Sequence, residues 1–240
     1  AATLAATAVA QDFDDPEALG PLPWRVGGPL GFTVDAAAFP DSAGHRLEVY
    51  LRLRPSTLHQ LAEGRTYTGQ LQIDISLKAG RKGKPQQASQ EFQITPSDTT
   101  GGFGRVLVFP FRVKPGTHRL SIRMQARRHV LPGSGTGRSE TVSVDGELVV
   151  PPLQAGRAIS DIEFVWSAPE SSGTRAAFTR DGVRRLPNPG RLYGLFESTL
   201  RASFTAVAEE KGEPRPWYWV ARAMNSQGQV VAQRETTAAA

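Results

Sequence analysis

The chain contains no cysteine, only two methionines and only four histidines among its 240 residues. The absence of cysteine excludes disulfide bonds, thiolate metal sites and a cysteine nucleophile. No two histidines have the i, i+4 spacing of zinc ligands on a helix; they are His45, His59, His118 and His129. His45 and His118 each lie beside a turn signal, so we expect both at the surface. The sequence therefore predicts no metal site and no cofactor.

The sequence also lacks an apolar run of the about 20 residues that a membrane-spanning helix needs. Residues 1–10 read AATLAATAVA, which resembles the end of a signal peptide with a cleavage site before Gln11. We therefore expect an exported, periplasmic protein, with residues 1–31 forming a signal-like or anchoring segment and an extended lead-in. If residues 1–10 are retained, we expect them to contact a membrane or a partner subunit.

Alternation of apolar and polar residues with a period of two runs through most of the chain and predicts β-strands. It is clearest at residues 46–53 and 70–77. Seven or eight short strands separated by turn residues are typical of a β-sandwich. We therefore predict an all-β fold of two tandem β-sandwiches of immunoglobulin or fibronectin type. Residues 32–150 would form the first, 151–157 a linker, and 158–235 a second, smaller one.

Three local patterns refine this prediction. Residues 55–64 predict one short helix, for which Ser56 would be the N-cap. Asp145 and Gly146 stand between two alternating runs and predict a hairpin turn. Apolar residues occupy both faces of the strand predicted at residues 106–113, which indicates that this strand is covered on both sides.

Three segments carry a family resemblance: GFTVDAAAFPDSAGHRLEVYLRL (residues 31–53), AISDIEFVWSA (158–168) and LPNPGRLYGLFESTLRASFTAV (186–207). They resemble the front part of GWxTD-domain proteins, which are exported bacterial proteins. The resemblance spans residues 32–231 and implies β domains and a location in the cell envelope. It implies no reaction and no catalytic residues, and the Gly-Trp-x-Thr-Asp motif itself is absent from this chain.

Catalytic motifs are missing from the sequence. There is no Gly-x-Ser-x-Gly nucleophile elbow, and the glycines at 101–104 lack the lysine and the helix of a phosphate-binding loop. The spacing of the acidic residues does not place any two of them at a glycosidase separation; those considered are Asp35, Asp41, Asp74, Glu91 and Asp98. We therefore predict that the protein is not an enzyme.

The aromatic residues give the candidate interaction sites. Trp217 and Trp219 share one strand face, and Tyr218 lies on the other. Such a strand is either buried on both sides or presents a contact face, because Trp and Tyr anchor interfaces and membrane boundaries. Trp24 in the lead-in is a second candidate anchor. Arginines could form a basic strip across one sheet; they are Arg52, Arg54, Arg119, Arg123, Arg127 and Arg128.

These patterns favour one function and leave two alternatives. The first is a non-enzymatic periplasmic accessory subunit that packs against and stabilises a membrane protein complex, respiratory, photosynthetic or transport. The second is a periplasmic ligand- or carbohydrate-binding module with Trp217, Tyr218 and Trp219 as a stacking platform. The third is an enzyme whose active part lies in a further segment. The net charge is +5, but aromatics are not interleaved with the basic residues, so we expect no nucleic-acid partner.

Overall fold

The computed structural model describes residues 21–41, 44–62, 68–80, 82–94, 104–129, 139–152, 157–166, 179–180, 183–193, 199–208 and 217–238. The signal-like segment at residues 1–10 and residues 11–20 of the lead-in therefore lie outside the described residues. The described elements are β1 Trp24–Val26, β2 Phe32–Asp41, β3 Gly44–Leu53, α1 Pro55–Ala62, β4 Thr68–Ala79, β5 Gln86–Ile94, β6 Arg105–Val113, β7 Gly116–His129, β8 Ser139–Val150, β9 Arg157–Ile159, β10 Glu163–Trp166, β11 Thr179–Arg180, β12 Val183–Arg184, β13 Leu186–Pro187, β14 Arg201–Ser203, β15 Ala206–Ala208, β16 Trp217–Met224 and β17 Val230–Ala238. The chain is all-β, as its sequence predicts.

Two four-stranded antiparallel sheets form the larger part of the structure. The first sheet has the strand order β1-β2-β3-β6, and the second sheet has the order β5-β4-β7-β8. Every neighbouring pair in the two sheets is antiparallel. The first sheet begins at Trp24, before the domain start predicted at residue 32, because a three-residue strand is too short to show alternation.

The two sheets bury their apolar faces in one shared core, which gives a sandwich-like arrangement. Alternate residues of each strand point inward, so the period of two in the sequence becomes one buried face per sheet. The first sheet contributes Phe32, Val34, Leu47, Val49, Leu51, Leu53, Leu107 and Phe109, and the second sheet contributes Leu71, Ile73, Ile75, Leu77, Leu120, Ile122 and Met124.

Trp24 belongs to this core and is 2% exposed. Its indole lies over Gly146, where an added Cβ would come within 2.2 Å of Trp24 Cζ2. Gly146 therefore makes room for the indole and does not form the predicted hairpin turn. The prediction of a turn at Asp145 and Gly146 was wrong, because β8 continues through both residues.

Helix α1 covers one end of the core. Leu58 and Leu61 are buried, at 0% and 2% exposure, and the hydroxyl of Thr57 donates to the carbonyl of Gly31 at 2.7 Å. The predicted helix is confirmed, but its predicted N-cap is wrong. The N–H of Leu58 donates to the carbonyl of Arg54 at 3.1 Å, and Ser56 lies inside the helix.

Residues 157–238 form smaller antiparallel sheets in the described part of the chain. Their strand orders are β13-β10-β14, β15-β9, β11-β12 and β16-β17. Strand β9 begins at Arg157, the last residue of the predicted linker, and linker residues 153–156 lie outside the described residues. No helix in the described residues is long and apolar enough to cross a membrane.

Candidate functional site

The middle of the outward face of the first sheet is buried, although its residues are largely polar. Glu48, Tyr50 and Arg52 alternate with the core residues of β3 and would be exposed on an uncovered sheet, yet each is at most 7% exposed. Tyr50 donates a 2.9 Å hydrogen bond to Glu48, which also pairs with Arg46 at 3.0 Å. Val106 is 8% exposed, but Pro110 and Arg112 on the same face of β6 are exposed, so the predicted two-sided cover holds only at the start of this strand. The junction between the outward face of the first sheet and residues 160–166 and 183–193 is the first candidate site.

An ion pair, buried at Asp35 and partly exposed at Arg191, joins the two sides of the junction. Arg191 donates to Asp35 through Nε and Nη2, both at 2.9 Å, and the N–H of Ala36 also donates to Asp35 at 2.9 Å. Burial raises the pKa of the Asp35 carboxyl, and Arg191 opposes that increase. Arg191 has φ of 49°, a left-handed conformation that costs energy for any residue other than glycine. Its two bonds to Asp35 help to hold that conformation.

The turn at residues 187–193 is held by its own side chains. Asn188 is 1% exposed, and its Nδ2 donates to the carbonyl of Leu192 at 3.0 Å. The Tyr193 hydroxyl lies within hydrogen-bond distance of the carbonyls of Val165, at 2.9 Å, and Arg201, at 2.8 Å. The Pro-Asn-Pro-x-x-x-Tyr pattern in the sequence therefore builds a rigid turn that presents Arg191 to Asp35.

Asp161 attaches residues 160–161 to the free edge of β2. The Ala38 N–H donates to Oδ2 of Asp161, and the Asp161 N–H donates to the Ala38 carbonyl, both at 2.9 Å. Strand β1 pairs only with residues 32–34 of β2, which leaves the edge at Ala38 available for this pairing. The contact closes part of an open sheet edge.

The two histidines expected at the surface are both buried, so that expectation was wrong. His45 is 4% exposed and its Nδ1 has no hydrogen-bond partner. Burial lowers the pKa of His45, and the charge of Asp161 opposes the decrease. His118 is 3% exposed and its Nε2 lies 2.9 Å from the carbonyl of Lys114. Each lies next to a turn in sequence, but His45 shares the core-facing side of β3 with Leu47, and His118 shares that of β7 with Leu120.

The arginines do not form one basic strip. The guanidinium of Arg52 lies under the junction, 4.9 Å from the ring centroid of Trp166, and Arg54 donates to the carbonyl of Val26. Arg52 belongs to β3 of the first sheet, and Arg54 directly follows that strand. Arg119, Arg123 and Arg127 are instead on β7 of the second sheet. The side chain of Arg128 lies outside what the structure describes.

The hairpin of β16 and β17 is the second candidate site. Its strands pair in register from Trp217 with Ala238 to Met224 with Val230. Within the described residues no third strand pairs with either of them. The turn between them is held by Asn225, whose Oδ1 accepts from the N–H groups of Gln227 and Gln229. The hairpin is thus internally ordered and has two open edges.

Large apolar side chains of the hairpin are exposed: Tyr218 63%, Met224 63%, Val230 51%, Val231 49% and Val220 36%. Polar cross-strand bonds also lie on the Tyr218 face, from Tyr218 to Glu235 at 2.6 Å and from Arg222 to Gln233 at 2.8 Å. The Glu235 carboxylate raises the pKa of the Tyr218 phenol. The opposite face carries Trp217, Trp219 and the exposed alanines at 221, 223 and 232. We call this the Trp-Ala face.

The structure separates the four predicted interaction residues. Trp24 is a core residue, because its indole fills the space above Gly146 and leaves no surface for a partner. Tyr218 is exposed on one hairpin face, and the register places Trp217 and Trp219 on the other. The side chains of those two tryptophans lie outside the described residues. The junction residues Asp35 and Arg191 were not predicted as a pair, since no local pattern relates positions so far apart.

Comparisons with family models, with curated proteins and with solved structures found no match to this chain. Within the described residues, no group of three or more His, Cys, Asp or Glu side chains is placed to hold a metal ion.

Proposed function

We propose that this chain is a non-enzymatic interaction protein of the bacterial envelope, which docks onto a subunit of a membrane protein complex through the β16–β17 hairpin. The observation that carries the proposal is the exposure of this hairpin on both faces. A lone two-stranded hairpin is only marginally stable in water and needs a third strand or a packing surface. A partner protein would supply that surface.

The chemistry of the hairpin favours a protein partner. Within the described residues neither edge of the hairpin pairs with a third strand, and an extended strand of a partner can complete such an edge. The exposed alanines 221, 223 and 232 of the Trp-Ala face add apolar surface. The polar ladder of Tyr218, Arg222, Gln233 and Glu235 suits the water-facing side of the same ribbon.

The junction supports a scaffold role. A face that buries Asp35, Arg52 and Trp166 joins residues 160–166 and 183–193 to the first sheet. We propose that residues 158–235 form a second, smaller sandwich of immunoglobulin type that is completed by the partner. The envelope location rests on the Ala-rich start of the sequence and on the resemblance to GWxTD-domain proteins.

Two adjacent substitutions test this proposal. Ala221→Lys places a charge on the Trp-Ala face, and Val220→Lys places the same charge on the opposite face of the same strand. Each variant is expressed at native abundance in the bacterium that encodes it, membranes are extracted gently, and proteins that co-purify are identified by mass spectrometry. We expect the unaltered chain and Val220→Lys to retain a stoichiometric membrane subunit, and Ala221→Lys to lose it.

The proposal would be wrong if the unaltered chain purified alone, or if both lysine variants kept the same partner in full. Circular dichroism of the two purified variants is the control for folding. Because both positions are exposed, we expect both spectra to match that of the unaltered chain.

A further inference from the structure

The outward face of the second sheet is a continuous grid of polar side chains. The strand registers align four rows of four residues across β5, β4, β7 and β8. The rows are Gln87-Ser76-Ser121-Asp145, Ser89-Asp74-Arg123-Ser143, Glu91-Gln72-Gln125-Thr141 and Gln93-Gln70-Arg127-Ser139. All sixteen positions are polar. Only Thr141 is of the β-branched or aromatic type that strands favour, so strand propensity does not account for this composition.

The first two rows form the floor of a groove of about 420 Å³. Four of the eight floor residues are serines, whose short side chains leave space above the sheet: Ser76, Ser89, Ser121 and Ser143. Longer side chains border the floor on both sides, with Lys78, Arg119 and Glu147 in the preceding row and Gln72 and Gln125 in the following one. Since strands lie about 4.8 Å apart, the groove crosses about 14 Å of sheet.

The two carboxylates in the groove are held in place by neighbouring side chains. Asp74 accepts a 2.7 Å hydrogen bond from Ser89 and a 3.2 Å bond from Gln72. Asp145 accepts from Ser121 and lies 3.5 Å from Nε of Arg119. Arg123 is exposed and pairs in register with Asp74. The floor therefore presents fixed acceptors, a guanidinium donor and hydroxyls that both donate and accept.

This combination selects one class of ligand. A phosphate group or an anionic polymer would be repelled by the carboxylates of Asp74 and Asp145. A polyamine would be repelled by the guanidinium of Arg123. An apolar ligand would find only polar side chains on the grid, because Ile75 and Ile122, which also line the groove, are core residues at 1% exposure. A neutral compound with many hydroxyl groups matches every group present, because each hydroxyl both donates and accepts a hydrogen bond.

We propose that this groove binds a neutral linear glycan, which lies across the four strands with its hydroxyls on Asp74, Arg123, Asp145 and the floor serines. The site is separate from the hairpin and does not depend on the docking proposed above. It also differs from an aromatic stacking platform, because no aromatic side chain belongs to the grid. Without stacking, hydrogen bonds that replace bonds to water give a weak site, with a Kd of about 1 mM.

The test uses the full-length purified chain and its backbone amide NMR shifts. Maltohexaose, cellohexaose and chitohexaose serve as probes, each titrated to about 10 mM, where a site with a millimolar Kd is mostly filled. We expect saturable shifts with at least one probe at Asp74, Ser76, Ser121 and Ser143. Ser143→Leu should abolish them, and Ser139→Leu, on the same strand face but outside the groove, should leave them unchanged.

Three results would overturn the proposal. One is the absence of saturable shifts with every probe, and another is saturation confined to the β16–β17 hairpin. The third is an equal loss of binding in both leucine variants, which would indicate that the groove does not hold the glycan. Because Ser143 and Ser139 are both exposed, neither substitution should disturb the fold. The backbone amide spectra of the two variants check this, since away from the substituted residue they should match the spectrum of the unaltered chain.

Discussion

The Asp35 carboxylate accepts two hydrogen bonds, each of 2.9 Å, from Arg191, which lies 156 residues further along the chain. This contact ties the turn at residues 187–193 to the second strand of the first sheet. Asp35 is 6% exposed, so its charge is desolvated and depends on Arg191 for compensation. A buried charge that loses its partner is strongly destabilising. The pair therefore helps to hold residues 187–193 against the first sheet.

We expect Arg191→Met to cost more stability than Asp35→Asn. The first change leaves an unpaired buried carboxylate, whereas the second leaves a guanidinium whose side chain is 37% exposed and can be solvated. We predict losses of about 2–3 kcal/mol and about 1 kcal/mol, respectively. Urea unfolding of each variant at neutral pH gives both free energies.

The double variant is the control for this pair. Because it removes both charges, it should be more stable than Arg191→Met alone, with a coupling energy of about 1 kcal/mol or more. Strictly additive losses would show that Asp35 and Arg191 do not stabilise each other.

His45 should make the fold sensitive to mild acid. Its pKa is lowered by burial, so the unfolded chain binds more protons in the range just below the usual value of about 6.5. Stability is therefore fully present above about pH 6.5 and decreases as the pH falls through that value. His45→Gln should lose less stability than the unaltered chain between about pH 7.5 and about pH 5.5. Equal losses in both proteins would contradict this assignment.

The titration of Asp35 changes stability with pH in the opposite direction, and it does so in a lower pH range. Its pKa is raised by burial, so the folded chain binds the extra proton and stability falls as the pH rises above the usual value of about 3.9. The histidine effect can therefore be measured above pH 5 with Asp35→Asn as a background, which removes the carboxyl titration.

Gly146 should tolerate no side chain, because the Trp24 indole occupies the position of a Cβ. Gly146→Ala is expected to cost about 1–3 kcal/mol, the usual cost of overpacking a core. Gly27→Ala is the matched control, since nothing lies within 4 Å of its added Cβ. Thermal unfolding of the two variants compares them directly, and equal melting temperatures would contradict the packing of Trp24 on Gly146.

Tyr193→Phe should destabilise the junction turn. The hydroxyl interacts with the carbonyls of Val165 and Arg201, and its removal leaves them without that partner at a cost of about 1–2 kcal/mol. Tyr218→Phe removes an exposed hydroxyl on the hairpin and should change stability far less than Tyr193→Phe does. Chemical unfolding followed by tryptophan fluorescence distinguishes the two, and similar effects would contradict the structural role of Tyr193.

The sequence was sufficient to predict the all-β class and the helix at α1, because each depends on local periodicity. It was insufficient at Gly146, where the dipeptide Asp-Gly is typical of a turn. That glycine is required by Trp24, more than a hundred residues away, and local patterns do not carry such contacts. His45 is a different case, because it continues the alternation of Leu47 and Val49 on the core-facing side of β3, and the neighbouring turn signal was given more weight than that alternation.

The residues of the candidate sites also divide into those that a local pattern predicts and those that only the fold brings together. Tyr218 was predicted as an interaction residue from its position in a strand, and it is exposed. Trp24 was predicted as an anchor from its residue type, but it is a core residue. The polar grid was visible only as separate alternating strands, since register between strands decides which serines share a groove. Asp35 was noted among several acidic residues, but Arg191 as its partner required the fold.

Site-specific photo-crosslinking from the hairpin tests most directly whether the hairpin docks onto a subunit of a membrane protein complex. A photoreactive amino acid is introduced at Ala221 on the Trp-Ala face, and at Val149 on the second sheet, which is 71% exposed, as the matched control. After irradiation of cells that express the chain at native abundance, adducts are identified by mass spectrometry. If the hairpin docks as proposed, we expect one discrete adduct with a membrane-complex subunit from position 221 and none from position 149. No adduct from position 221, or the same adducts from both positions, would contradict it.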